Sequence, residues 1–225
     1  MKIIFVRHGH PDYKKDCLTE IGHPQAEAAA ERLKDEKIDK IFSSSCGRAV
    51  ETACHIAARH NLPITQLDFM REIHWGVPGT NDFSHPWESV DRWVAIGRDM
   101  LDFDWRNDPE YKDRTILKSY DKVVLGFDEW LGKFGFVREG GYYRVVQENN
   151  QTIMIVSHGG SSSVVFSHIF NLPFPFVCKT IRPNFTAITE VSFVGEKGQF
   201  VAPRFELVND ARHIKGVDTE TVFGR

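Results

Sequence analysis

Two short apolar runs, far apart in the chain, end in the same way, and this repetition constrains the fold more than any other feature of the sequence. Residues 3–6 read Ile-Ile-Phe-Val and lead to His8, while residues 152–156 read Thr-Ile-Met-Ile-Val and lead to His158. A glycine follows each histidine directly. Continuous apolar runs of this length are typical of strands that are buried on both faces of a parallel sheet.

Helix and strand signals alternate around these two runs. Thr19 is a cap for a helix that ends near Asp35, and a second helix is expected from about Gly47 to His60. Further strands are expected at Ile38–Phe42, Ile64–Leu67, Ala187–Val194 and Phe200–Val208, the last two pairing as a hairpin. The alternation predicts an α/β fold, a three-layer α/β/α sandwich with a mainly parallel central sheet.

The alternation breaks at about Gly76, and residues 76–141 are rich in Trp, Phe, Asp and Arg with little strand character. Helices are expected there at about Pro86–Leu101 and Ser119–Phe134. We interpret this stretch as a mostly helical insertion, a candidate lid, within a single domain that spans residues 1–225.

Charge and composition argue against several classes of protein. The net charge of −3 does not favour general binding to nucleic acid or to anionic membranes. The four cysteines form no CxxC pair, and the N-terminal apolar run is too short for a signal peptide, so a reduced cytoplasmic location is expected. No apolar stretch approaches the ~20 residues that span a bilayer.

The tail after Asn209 lacks apolar periodicity and is expected to be loosely ordered.

The two histidines are expected to meet at one edge of the sheet, because ligands of open α/β sheets bind beyond the carboxyl ends of the strands. Gly159 follows His158 where a helix begins, and the free N–H groups of a helix N-terminus favour an anion. Arg7 and Arg48 would add guanidinium groups, which bind phosphate oxygens in pairs. This combination predicts a phosphate site in which an imidazole can attack phosphorus.

These residues form part of a pattern that resembles the histidine phosphatase (phosphoglycerate mutase-like) superfamily. The resemblance covers residues 3 to about 165 and depends on five blocks in the family's order and rough spacing. The blocks are Arg7-His8-Gly9, Leu18 to Gly22, Ser43 to Ala53, Arg71-Glu72-Ile73 and Val156 to Gly160.

The resemblance implies a metal-independent phosphomonoesterase without a cofactor. His8 would be the nucleophile that becomes phosphohistidine, with its other ring nitrogen donating to a backbone carbonyl. Arg7, Arg48 and His158 would hold the phosphoryl oxygens and supply the positive charge that a metal would otherwise bring. Glu72 would be the general acid for the leaving oxygen and then the base that activates water.

The chain departs from the family's mutase pattern next to the catalytic blocks. His10 begins a His-Pro-Asp-Tyr segment where mutases have Glu-Ser, and His74 and Trp75 precede the Trp-rich insertion. We therefore prefer hydrolysis, with His10 and His74 as candidates for the leaving-group side of the pocket. Candidates for binding a second anionic group are Arg98, Arg106 and Arg114.

Three hypotheses share this fold, so the fold does not separate them. The first is a phosphatase acting on small phosphate esters. The second is a phosphoglycerate-type mutase, which would exchange phosphate within one substrate and release little. The third is a non-catalytic phosphate-binding module, against which an intact His8, Arg48 and His158 argue. The expected partner is a small phosphate ester, with neither nucleic acid nor membrane, and homo-oligomerisation is left open.

Overall fold

A computed structural model of the protein describes residues 1–78 and 86–217. The strands are β1 (Lys2–Arg7), β2 (Pro11–Asp12), β3 (Cys17–Leu18), β4 (Lys40–Ser44), β5 (Ile64–Leu67), β6 (Phe136–Glu139), β7 (Tyr142–Val145), β8 (Thr152–Ser157), β9 (Ile188–Ser192), β10 (Phe200–Val201) and β11 (Arg204–Asp210). The helices are α1 (Gly22–Leu33), α2 (Gly47–His60), α3 (Pro86–Ala95), α4 (Ile116–Gly132), α5 (Gly159–Ile169) and α6 (Phe174–Thr180). Within the described ranges, no helix combines the length and apolar character needed to cross a bilayer.

The main sheet has six strands in the order β11-β9-β1-β8-β4-β5. Strands β1, β8, β4 and β5 run parallel, while β9 and β11 pair antiparallel at one edge. The mainly parallel sheet predicted from the sequence is therefore confirmed. Because β1 and β8 are neighbours with Arg7 opposite Ser157, the chain leaves both strands at the same level of the sheet edge.

Alternate side chains of β1 enter two separate cores, one on each face of the sheet. Ile4 and Val6 pack with the apolar residues of α1 and α2. Ile3 and Phe5 pack on the other face with residues of α4 and α5, and the ring of Phe5 lies 5.1 Å from that of Phe166. Burial of each such side chain stabilises the fold by roughly 1.5–3 kcal/mol. The α/β/α layering follows from this arrangement.

The first two helices begin and end close to where the sequence predicts. The hydroxyl of Thr19 accepts a hydrogen bond from the Gly22 N–H at 3.1 Å, at the start of α1. Helix α2 spans the predicted residues and ends at Asn61, which takes a left-handed conformation with φ of 51°. Asparagine tolerates this conformation and commonly ends helices in this way.

The insertion is less helical than the sequence predicts. Helix α3 ends at Ala95 instead of near Leu101, because Gly97 adopts a φ of 66° and the Arg98 N–H turns back to the Trp93 carbonyl oxygen at 2.9 Å. Strand β6 also lies inside this stretch and pairs with β7, which in turn pairs with β10 in a second, antiparallel sheet. The expectation of little strand character was therefore wrong at its C-terminal end. Residues 79–85 of the predicted insertion lie outside the described residues.

The C-terminal segment contains more order than its sequence predicts. Strands β9 and β11 pair antiparallel as expected, but β10 separates from them and joins the second sheet. Beyond Asn209, residues Arg212–Ile214 form a 3₁₀ turn in which the Ile214 side chain is fully buried, and His213 is hydrogen-bonded to the Thr186 hydroxyl at 3.0 Å. The prediction of loose order was wrong for this part, while residues 218–225 lie outside the described residues.

Candidate active site

The two histidines predicted from the sequence lie side by side at the carboxyl edge of the sheet. Their ring centroids are 5.0 Å apart. His8 Nδ1 lies 2.7 Å from the Gly9 carbonyl oxygen, and because a carbonyl only accepts, Nδ1 carries the proton. His8 Nε2 therefore presents its lone pair, and the Nε of Arg48 donates toward it at 3.4 Å.

Both imidazoles are held in the neutral form by their surroundings. His8 is almost fully buried, and burial lowers its pKa well below 6.5, with the charges of Arg7 and Arg48 acting in the same direction. The pKa of His158 is also well below 6.5, first because of burial and then because of His8 and the nearby arginines. A buried neutral imidazole with a free lone pair is suited to nucleophilic attack.

His158 is oriented by the neighbouring strand. Its Nε2 lies 2.7 Å from the hydroxyl oxygen of Ser44, the last residue of β4. That oxygen accepts a hydrogen bond from the Cys46 N–H at 3.2 Å, and the hydroxyl can donate its own proton to Nε2, which places the proton of the neutral imidazole on Nδ1. The other ring nitrogen, Nδ1, is buried and has no hydrogen-bond partner in the described part of the chain. An unpaired buried polar atom is costly, so this nitrogen fits a site that a polar ligand completes.

Arg7 is fixed by the segment that precedes β9. One terminal nitrogen donates to the Pro183 carbonyl oxygen at 2.8 Å, and the guanidinium carbon lies 4.1 Å from the ring centroid of Phe185. Burial lowers the pKa of Arg7. Its Nε, like the hydroxyl of Ser161, is buried and has no hydrogen-bond partner among residues 1–78 and 86–217. Two further donor groups near His8 are thus available to an anion.

Arg48 is held by the loop between β2 and β3. Its guanidinium is ion-paired with Asp16, and the second carboxylate oxygen of Asp16 accepts the Gly47 N–H at 2.8 Å. The ring of Tyr13 from the same loop lies 5.3 Å from the Arg48 guanidinium carbon. Asp16 adopts a left-handed conformation with φ of 52°. The loop therefore fixes the arginine that donates toward His8.

The Glu72 carboxylate lies at the N-terminus of α5, the helix whose first residue follows His158 in the chain. The carboxylate accepts hydrogen bonds from the Ser161 N–H at 3.1 Å and the Gly160 N–H at 3.4 Å. A Cβ on residue 160 would lie only 2.4 Å from a Glu72 oxygen, so this approach requires glycine. The helix N-terminus thus holds the carboxylate at the edge of the histidine pair.

The remaining predicted site residues lie in three different environments: one packs against Arg7, one is half-buried and one is exposed. Gly159 lies against Arg7, since a Cβ there would be 3.6 Å from the guanidinium carbon. His10 is half-buried; its Nδ1 lies 2.8 Å from the Thr19 hydroxyl oxygen and its ring packs on the edge of Phe185. His74 is exposed, and its backbone N–H donates to the hydroxyl of Ser119 on α4 at 3.2 Å.

Two of the insertion arginines proposed for a second anion are ion-paired with carboxylates of the insertion itself. Arg98 is ion-paired with Asp102 and Asp108, and Arg106 with Asp121. No group of three or more His, Cys, Asp or Glu side chains arranged to hold a metal ion occurs within residues 1–78 and 86–217.

Sequence reasoning missed several residues that support the site, namely Tyr13, Asp16, Ser44 and Thr52. Thr52 links the loop after β1 to α2, because its hydroxyl accepts the Gly9 N–H at 3.1 Å and donates to the Arg48 carbonyl. The sequence signal for this contact is that Thr52 lies four residues after Arg48, because a threonine hydroxyl within a helix can donate to the carbonyl oxygen four residues earlier.

Comparison with known proteins shows the family of this chain. The sequence model of the histidine phosphatase superfamily (branch 1) matches residues 3–205. The chain belongs to the histidine phosphatase superfamily. The match extends beyond His158 and includes β9 and the segment that holds Arg7.

Members of the superfamily that resemble this chain include named phosphatases. A Schizosaccharomyces pombe protein described as a probable phosphatase is 26% identical over 236 aligned positions, which cover 97% of this chain and 98% of that protein. Phosphoserine phosphatase 1 of Hydrogenobacter thermophilus is 28% identical over 171 positions, covering 70% of this chain and 71% of that protein. The structure of mycobacterial glucosyl-3-phosphoglycerate phosphatase with inorganic phosphate shares the fold, with a TM-score of 0.65, 21% identity and coverage of 94% and 98%.

Proposed function

We propose that the protein is a phosphatase that hydrolyses small phosphate monoesters through a phosphohistidine on His8. One observation carries the proposal: a buried, neutral imidazole presents the lone pair of Nε2 beside Arg48, among buried donors without protein partners in the described chain. The phosphatase names of relatives that align with most of the chain support the same reaction class.

In the first step, His8 Nε2 attacks the phosphorus atom and the bond from phosphorus to the ester oxygen breaks. Glu72 donates a proton to the departing oxygen, so the alcohol leaves neutral. Arg7, Arg48 and the Nδ1 of His158 would bind the phosphoryl oxygens, whose charge is spread over all three in the transition state.

In the second step, the Glu72 carboxylate accepts a proton from a water molecule that attacks the phosphohistidine. The phosphorus–nitrogen bond breaks, inorganic phosphate leaves, and His8 regains its lone pair. The two arginines supply positive charge throughout and the neutral His158 supplies a hydrogen-bond donor, which makes a metal ion unnecessary for this reaction.

The first test is phosphate release from p-nitrophenyl phosphate and a panel of small esters by the wild type and His8→Ala. We expect release by the wild type and a loss of roughly 10³-fold or more in the variant, because the nucleophile is removed. A chelator should leave the wild-type rate unchanged. Release that survives in His8→Ala would refute the proposed mechanism.

An absence of release from every ester would favour one of the two other functions. Transfer of phosphate between positions of a phosphoglycerate would then indicate a mutase. Phosphate binding without either reaction would indicate a binding module.

A further inference from the structure

Two histidines meet across the gap between α1 and α2, on the solvent side of this helix layer. His23 Nδ1 lies 3.2 Å from His55 Nε2, and the two ring centroids are 5.5 Å apart. His23 is exposed and His55 is partly exposed, so water reaches both rings. The helices pack through small buried side chains such as Ala30 and Ala53, and this close packing fixes the separation of the two nitrogens.

A carboxylate of α1 orients the ring of His55. Glu27 lies one turn after His23, on the same face of the helix. Its carboxylate oxygen lies 3.1 Å from His55 Nδ1, and because a carboxylate only accepts, that nitrogen carries the proton. The Nε2 of the neutral ring therefore turns its lone pair toward His23. Histidines that bind a metal ion commonly donate their second N–H group to a carboxylate in this way.

The charges around this pair of histidines balance one another. Arg59, one turn after His55 on α2, is ion-paired with Glu27 and Glu31. Lys34 is ion-paired with Glu31 as well. Because each of these cations is offset by a carboxylate, they do not oppose the approach of a divalent cation to the two imidazoles.

The spacing of the two nitrogens fits two ligands of a tetrahedral zinc ion. Zinc–nitrogen bonds of about 2.0–2.1 Å, separated by the tetrahedral angle, place two ligands about 3.3–3.4 Å apart. At the same bond length, the angle of about 90° in a square-planar copper or nickel site would bring them to about 2.8–3.0 Å. The observed 3.2 Å is closer to the tetrahedral value. In the metal-free protein, a proton on His23 Nδ1 joins the same two atoms as a hydrogen bond and keeps the rings at this distance.

We propose that His23 and His55 bind a zinc ion that links α1 to α2, with Glu27 holding the ring of His55. On binding, the ion accepts the lone pairs of His23 Nδ1 and His55 Nε2, and the proton of His23 Nδ1 passes through solvent to Nε2 of the same ring. Water fills the other two positions of the tetrahedron. This site is separate from the proposed phosphatase reaction, which requires no metal ion.

Calorimetric titration with zinc chloride in phosphate-free buffer tests the site. Glu27→Gln should weaken zinc binding about 10- to 100-fold, the loss typical when a carboxylate that orients a histidine ligand is removed. His23→Gln and His55→Gln should weaken it further, because each removes a ligand. Zinc should also raise the denaturant midpoint of the wild type but not that of His23→Gln, since the ion binds the folded chain. Magnesium should have neither effect, because it prefers oxygen ligands.

Cys54→Ser is the matched control on α2, because Cys54 is an exposed thiol next to His55 in the chain and thiolates also bind zinc. His8→Ala controls for zinc held by the buried histidines of the candidate active site. Both variants should keep the proposed zinc site. A wild type that binds no zinc, unchanged binding in His23→Gln and His55→Gln, or loss of all binding in either control would overturn the inference. Failure of the proposed function would appear separately, as hydrolysis of p-nitrophenyl phosphate that does not depend on His8.

Discussion

At the scale of single residues, the proposed chemistry depends on keeping His8 neutral in a positively charged pocket. The Gly9 carbonyl oxygen fixes the proton on Nδ1, and burial with two arginines disfavours a second proton. The lone pair of Nε2 is therefore available at neutral pH, and no nearby base is needed to remove a proton from this nitrogen. The arrangement has an energetic consequence, because the unfolded chain does not share it.

This consequence predicts a pH dependence of stability. Below pH 6.5, the unfolded chain binds protons at His8 and His158, while the folded chain, with lower pKa values, does not. The contribution of these two histidines to the free energy of unfolding should therefore be fully present above about pH 6.5. It should fall as the pH decreases toward the folded-state pKa values, by about 1.4 kcal/mol per pH unit for each histidine. Denaturant unfolding between pH 7.5 and 5 measures this slope.

The variant His8→Gln supplies the control for that slope. It removes one of the two imidazoles, and the pKa of His158 stays lowered by burial and by the nearby arginines. The loss of stability on acidification should therefore be smaller by about the contribution of one histidine. Identical slopes in the variant and the wild type would show that His8 is not buried as a neutral imidazole.

Glu72 allows a second prediction at the residue scale. In Glu72→Gln, the rate on alkyl phosphates should fall by roughly 10²- to 10⁴-fold, because a poor leaving group requires a proton. The rate on p-nitrophenyl phosphate should fall much less, since nitrophenolate leaves without one. A plot of kcat/KM against the pKa of the leaving alcohol should become steeper in the variant. Equal losses across the series would exclude the acid role.

At the scale of elements, helix α5 connects the site to the sheet. Its first residues follow His158 directly, and their N–H groups bind the Glu72 carboxylate. A single helix N-terminus thus brings a residue from the loop after β5 to a residue at the end of β8. The sequence contains no local sign of this contact, because the two partners are far apart in the chain.

Gly160→Ala tests this element. The added methyl would fall 2.4 Å from a Glu72 oxygen and 2.5 Å from the Ile73 side chain, so this loop segment and its carboxylate must shift. We expect kcat on alkyl phosphates to fall by about 10²-fold, the loss associated with a misplacement of about 1 Å. Circular dichroism should show an unchanged fold. Gly132→Ala near the end of α4 is the control, since a Cβ there meets no atom within 4 Å. Full activity in Gly160→Ala would show that Glu72 does not depend on this contact.

The sequence predicted elements well where one physical signal acted alone. The buried run before His8 and the alanine-rich face of α2 need only hydrophobic periodicity, and both were placed within one or two residues. Strand β6 was missed because it pairs in a separate sheet with β7, and its alternating exposure resembles a polar loop. The end of α3 was missed because it depends on the conformation of Gly97.

At the scale of the whole molecule, the site combines segments that only the complete fold brings together. The residues proposed as catalytic could be brought together from the sequence, because their order and types match a family pattern and each lies at the end of a strand or in an adjoining loop. Asp16 could not, because a charged loop residue acquires a role only through a distant partner, here Arg48. Support residues of this kind follow from tertiary packing and leave no local pattern.

The C-terminal turn shows the same dependence on tertiary packing and gives a final prediction. Ile214 is fully buried where the turn Arg212–Ile214 packs on α1, although the surrounding sequence has no apolar period.

Ile214→Ala should lower the free energy of unfolding by about 2–4 kcal/mol, through lost burial and the cavity left behind. Val208→Ala, at a side chain that is 43% exposed in β11, should cost much less. Activity per folded molecule should remain unchanged in both variants, because α1 contacts the site only through its first turn, where Gln25 accepts the His10 N–H. Equal stability of the two variants in denaturant unfolding would mean that the turn does not belong to the cooperative core.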